Sequence, residues 1–243
     1  MSYQSKEHLF DDEPAEQRTQ LQQKEFEYRN KYRLERCYER SSCRHYREIL
    51  FYLESLETTF SSLNYHLPNR IICADIGVST WFYVQGLYRF LQYWQTEAAR
   101  DVRLEGYEAD AYRIYPDLFS RYDKAITYIG ELAGVVYHAK WFQSQPEKFQ
   151  VVTLFFPFVF QRDHLEWGLP VNTFQPMALL KSTWESVTPG GVLMVMNQGL
   201  EEHQAQQAMW NQLEIPVHLA FQFNSSMFHY SIERYIIVGV KGG

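Results

Sequence analysis

Three residues stand where an alternating chain of strands and turns could present them to a nucleoside. Arg70-Ile71-Ile72-Cys73-Ala74 is a short apolar run that ends on Asp75 and, one residue further, Gly77. The next such run, Val102-Arg103-Leu104-Glu105-Gly106-Tyr107, ends on Glu108. A glycine after the first strand lets backbone approach a ligand, and a carboxylate at the tip of the second can accept from two ribose hydroxyls. Ser79 adds a hydroxyl between them. Past the apolar run Val151–Phe156 lie Asp163, His164 and Glu166, which can take a proton or hold a substrate. Cys37, Cys43 and His45 are close together, but they contain no Cys-x-x-Cys pair and no evident fourth ligand, so no metal site is expected.

The elements that must carry these groups alternate. Strands are predicted at Ile71–Ala74, Leu104–Glu108, Val135–His138, Val151–Phe156 and Val192–Met196. Helices are predicted at Trp81–Gln95, Ala111–Leu132 (with a break or fresh start at Pro116), Pro176–Ser186 and Glu201–Leu213. Val217–Phe223 and Tyr235–Val240 follow as two strands with only a polar loop between them, so they should pair antiparallel. Strand–helix alternation predicts a mostly parallel sheet with helices on both faces. Ahead of it, residues 15–66 read as a helical extension without glycine, with Ser41-Ser42 as a candidate break into two helices, carrying an apolar stripe of Tyr46, Ile49, Leu53, Leu56, Phe60 and Leu63. Residues 1–14 are polar and acidic and are expected to be disordered.

Bulk properties set the class. The chain has 243 residues, enough for one large α/β domain with an appendage. A net charge of −6 excludes a generic polyanion binder, and three cysteines give no disulfide framework. No apolar run approaches the roughly 20 residues of a membrane span. A cytoplasmic protein is expected. Aromatic residues make up 17% of the chain, which points to an aromatic core or a stacking surface for a planar ligand.

From Asn69 to Gly243 the chain resembles the class I S-adenosylmethionine-dependent methyltransferases. The resemblance rests on element order, on Asp75-x-Gly77, on Glu108, and on Thr188-Pro189-Gly190-Gly191-Val192-Leu193 before the fifth strand. It implies a Rossmann-like seven-stranded sheet with the last strand inserted antiparallel, and S-adenosylmethionine as cofactor. The family's acid-x-Gly-x-Gly-x-Gly motif falls on Asp75-Ile76-Gly77-Val78-Ser79-Thr80-Trp81, with Ser and Trp in place of two glycines. Asp75, Gly77 and Ser79 would then line the methionine end of the cofactor, and Glu108 would hold the ribose. Trp141 or Phe142, where the family often has an acid, would stack on the purine. Trp81 either packs onto the sheet or obstructs the pocket. The motif after the fourth strand reads Phe155-Phe156-Pro157-Phe158 and lacks the leading carbonyl that orients an acceptor amine. Phe155 and its neighbours would face the acceptor, with Asp163 and His164 as the catalytic pair.

Two functions follow from that resemblance. One is a methyl transferase acting on a small molecule or another acceptor. The other is a methyltransferase-fold binding or scaffold protein without catalysis, using the amino-terminal helices for a protein partner. A nicotinamide-dependent oxidoreductase fits worse, because no Gly-x-Gly-x-x-Gly is present. Arg29, Arg33, Arg36, Arg40, Arg44 and Arg47 would form one stripe on a continuous helix, but residues 1–50 hold ten basic and ten acidic residues. The stripe therefore reads as a neutralised face rather than a nucleic-acid arm.

Overall fold

The computed structural model describes residues 6–242. Three helices open the chain: α1 (Ala15–Lys31), α2 (Glu35–Arg40) and α3 (Cys43–Ser62). Then come β1 (Arg70–Ile76), α4 (Val84–Tyr93), β2 (Asp101–Tyr107), α5 (Arg121–Ile129), β3 (Val135–His138) and β4 (Phe149–Phe155). A short α6 (Gln161–Glu166), a 3-10 turn (Val171–Thr173), α7 (Pro176–Ser186), β5 (Val187–Gln198), α8 (Gly199–Gln212), β6 (Leu219–Phe223) and β7 (Arg234–Val240) complete it.

The seven strands form one sheet in the order β3-β2-β1-β4-β5-β7-β6. The first five in that order pair parallel, and β7 is antiparallel to both its neighbours, as the resemblance implied. The central strands are apolar on both faces because helices cover both. Val192, Met194 and Met196 of β5 join the core under α3 and α4, while Leu193 and Val195 join the one under α7 and α8.

Four expectations need correction. The helix expected from Ala111 begins only at Arg121. Pro116 breaks the pattern, and Ser120 and Asp123 close a reciprocal capping box that starts the helix afresh. The Pro-Gly-Gly turn does not precede the fifth strand but lies within β5, at an irregularity in its pairing with β4. The extension has three helices rather than two: Ser42 caps a new helix at the expected break, and a further break comes where Arg33 takes a left-handed φ of 52°. The arginines consequently do not share one face. Arg29 pairs with Glu25, Arg36 with Glu131, Arg44 with Glu48, and Arg47 with Asp12 and Glu13.

The fourth correction concerns the amino-terminal tail. Residues 1–5 lie outside the described residues, but Leu9 and Phe10 are buried in the main core. Arg47 draws Asp12 and Glu13 onto α3, which explains how an acidic segment comes to be packed. Among the described residues no helix is long and apolar enough to cross a membrane.

Candidate functional site

The loop from β1 to α4 keeps a glycine-type backbone without the glycines. Gly77, Ser79 and Trp81 have φ of 76°, 52° and 53°. These are the three positions on which the glycines of the family motif fall. Left-handed φ suits glycine and strains a bulky side chain, so a tryptophan there needs strong local contacts. It has them. The indole is fully buried and donates from Nε1 to Oδ2 of Asp75 at 2.7 Å. Its ring lies over Gly106 of β2, where an added Cβ would stand 2.5 Å from the ring. Trp81 therefore packs onto the sheet face, and α4 starts three residues later than the apolar pattern suggests.

Asp75 is fully buried at the end of β1. It also accepts from Oγ1 of Thr153 on β4 at 2.8 Å and from the Tyr83 hydroxyl. Burial pushes its carboxyl up to about 7, against the hydrogen bonds from Thr153, Tyr83 and Trp81 that hold it down. Above this group the rings close. Tyr52 of α3 stacks on Tyr83 at 4.1 Å, and both contact Phe155 edge-on. Phe155 is thus core, sealed beneath two tyrosines, and not a wall open to an acceptor.

Glu108 is held as fully as Asp75. One oxygen accepts from the Ser79 amide at 2.7 Å; the other accepts from the Asp110 amide at 2.8 Å. Arg121, only 1% exposed, reaches Glu108 at 3.4 Å and Asp110 at 3.3 Å. The guanidinium sits 4.9 Å from the centre of the Trp167 ring. The Ser79 carbonyl in turn accepts from the Tyr137 hydroxyl at 2.9 Å.

The structure brings together Asp75, Gly77, Ser79 and Glu108, with Phe155 beneath them. The other expected residues stand elsewhere. Trp141 is half-exposed, while Phe142 packs against Tyr107 and Phe149 in the core under α7 and α8. His164 is buried, and its Nε2 lies 3.0 Å from both the Pro170 carbonyl and the Thr173 hydroxyl, inside the turn after α6. Phe158 and Phe174 face its ring. Asp163 pairs with Arg162 at 3.2 Å. The pair read as catalytic is thus engaged locally in α6. Sequence reasoning missed Tyr52, Tyr83, Thr153 and Arg121. Thr153 left a signal, as the one polar residue in the run Val151–Phe156, directly across the ladder from Asp75.

No protein-family model and no curated protein matches the sequence. Solved structures do. An S-adenosylmethionine-dependent methyltransferase from Aquifex aeolicus superposes with a TM-score of 0.54 at 12% identity, covering 80% of this chain and 92% of that one. The YcgJ protein of Bacillus subtilis gives 0.50 at 10% identity, covering 79% and 98%. At these identities the likeness is one of fold: the chain has the class I methyltransferase fold.

The cofactor that fold implies is tested by the groups that would hold it. A ribose diol at the tip of β2 would have to share the Glu108 oxygens, each of which already accepts one bond from the chain's own amides. The methionine end would need Asp75, whose oxygens are bound by indole, threonine and tyrosine. In this arrangement Asp75 is sealed away from the methionine end of S-adenosylmethionine, and Glu108 could take the ribose only by sharing its oxygens with the chain's own amides. What they do fit is a static role: two carboxylates that lock the β1–α4 loop, β2 and β4 into one network.

Proposed function

We propose that this is a methyltransferase-fold binding protein that does not transfer methyl groups. The observation that carries the reading is that the two acids at the tips of β1 and β2 are both engaged by internal partners, Trp81 and Thr153 for one, Ser79 and Asp110 for the other. Displacing the indole would leave a buried N–H without an acceptor, costing about 1–3 kcal/mol. Two further features support it. The rings of Tyr52, Tyr83 and Phe155 pack together beside Asp75. The histidine best placed in sequence to act as a base is hydrogen-bonded within its own turn.

The test is titration of the full chain with S-adenosylhomocysteine to millimolar concentration, read by calorimetry and by melting temperature. No saturable heat and no thermal shift are expected, for the wild type and for Glu108→Ala alike. A saturable shift that Glu108→Ala abolishes would overturn the reading and return the chain to the transferases.

A further inference from the structure

Three arginines are buried to within a tenth of full burial: Arg47, Arg121 and Arg234. A buried guanidinium cannot shed its proton, so it needs an anionic counterpart or a full set of acceptors. Arg47 reaches Asp12 and Glu13, and Arg121 reaches Glu108 and Asp110. Arg234 is different. Its Nη1 donates to two backbone carbonyls, of Ile232 at 2.7 Å and Glu233 at 3.3 Å. Two rings flank it, Tyr230 at 4.1 Å and Phe156 at 4.8 Å. Its Nε is buried and has no hydrogen-bond partner, and it enters none of the ion pairs formed among the described residues. Carbonyls and ring faces soften the charge but do not neutralise it.

This arginine opens β7, whose amino end lies at the carboxyl edge of the parallel strands, opposite Gln198 of β5. It lines a cavity of about 120 Å³ between α3 and the β6–β7 loop. Its walls combine the rings of Phe51, Phe223, Phe228 and Tyr230 with the polar groups of Asn224, Ser225, His229 and Ser231. The cavity is built rather than incidental. Glu54 of α3 accepts from Ser225 Oγ at 2.6 Å, Ser226 N at 3.0 Å and Ser226 Oγ at 2.8 Å, and Lys24 of α1 pairs with the same carboxylate. Arg47 Nε holds the Met227 carbonyl at 2.9 Å. The amino-terminal helices thus fix the loop that encloses the space.

We propose that Arg234 anchors a binding site for a small organic carboxylate in this cavity. With Nη1 turned to the backbone and Nε enclosed, Nη2 is the donor of the guanidinium left for a carboxylate oxygen, a charge-assisted hydrogen bond. The aromatic walls would take the apolar remainder. A space of about 120 Å³ suits a compact acid of benzoate size rather than a nucleotide. Glu233 also lines the cavity, and Glu202 lies close enough to act on Arg234, which favours a monoanion over a phosphate dianion. None of the residues at Asp75 or Glu108 is used, so this site stands or falls independently of the missing transferase activity.

The experiment uses the full chain with benzoate, acetate and inorganic phosphate as probes. Benzoate is expected to raise the melting temperature saturably, acetate more weakly, and phosphate not at all over the same range. In the wild-type protein, one arginine Nε–H resonance should move with benzoate; the resonance that Arg234→Lys deletes identifies it. Arg234→Met should weaken benzoate at least tenfold. The proposal is overturned if phosphate alone binds, if neither carboxylate moves that resonance, or if Arg234→Met binds benzoate as the wild type does. Should Arg234→Met fail to fold, the wild-type resonance decides alone.

Discussion

Trp81 hangs from the Oδ2 of Asp75 by its indole N–H, at 2.7 Å, with its ring laid across the bare backbone of Gly106. The pair replaces a glycine turn by an aromatic anchor. The backbone conformation is retained, while the side chain that makes it costly is stabilised by one hydrogen bond and one missing Cβ.

Gly106→Ala is therefore expected to destabilise the protein by about 1–3 kcal/mol, the usual range for overpacking a filled core. Trp81→Phe should cost about 1–3 kcal/mol by leaving a buried carboxylate short of a donor. Urea unfolding measures both. The double variant should show coupling, since the two residues touch; strictly additive losses would refute the anchor.

Stability should depend on pH through Asp75. Its carboxyl titrates near 7 in the folded chain and near the ordinary 3.8 when unfolded. A raised folded value means that the neutral form is favoured by folding. The contribution is complete below pH 3.8 and is lost as pH rises through 7. Wild-type stability should fall relative to Asp75→Asn between pH 4 and 7, then run parallel to it. Denaturant titrations at five or six pH values would show this; a difference that does not change with pH contradicts the buried acid.

Glu54→Gln should loosen the β6–β7 loop without unfolding the sheet. Its carboxylate gathers two serine hydroxyls, a backbone amide and Lys24. A loss of about 1–3 kcal/mol is expected from the orphaned donors. Amide hydrogen exchange at Ser226, whose N–H bonds this carboxylate, should accelerate by an order of magnitude or more. Unchanged exchange there would show that the loop holds itself.

His164→Ala separates a structural histidine from a chemical one. The ring bridges Pro170 and Thr173 inside the turn after α6. Loss of about 1–3 kcal/mol is expected from the lost hydrogen bond and the emptied ring site, while the Thr173 hydroxyl keeps its own bond to the Pro170 carbonyl at 2.6 Å. Changes in chemical shift should be confined to residues 158–174. Partial rescue by Gln, which can bond the same oxygen atoms, would be consistent; an effect spreading to the β1–α4 loop would not.

The sheet was legible in the chain because its strands are short apolar runs bounded by turn residues, and because two consecutive strands at the end can only pair antiparallel. β3 and α7 have the expected bounds, set by Gly134 and by Pro176 at the first helical turn. The start of α5 was missed because apolar periodicity runs on through Ala111–Leu118, while Ser120 and Asp123, which decide it, form a local cap. The site was half legible. Asp75 and Glu108 do lie at adjacent strand tips. That their oxygens are occupied depends on left-handed turns at Ser79 and Trp81, and on Tyr52 arriving from a helix before the sheet. No local pattern encodes such long-range packing.

The bonds between Glu54 and Ser225, Arg47 and Met227, and Lys24 and Ser226 join residues 171, 180 and 202 positions apart. Ribosomes add about 5–20 residues per second, so the first helices wait roughly 9–40 s for the segment that completes them. During that interval the apolar flank of α3, with Phe51 and Tyr52, lacks its final covering. A nascent chain of this protein should accordingly engage holding chaperones through its opening third, and shortened versions ending before β6 should aggregate rather than persist as free domains.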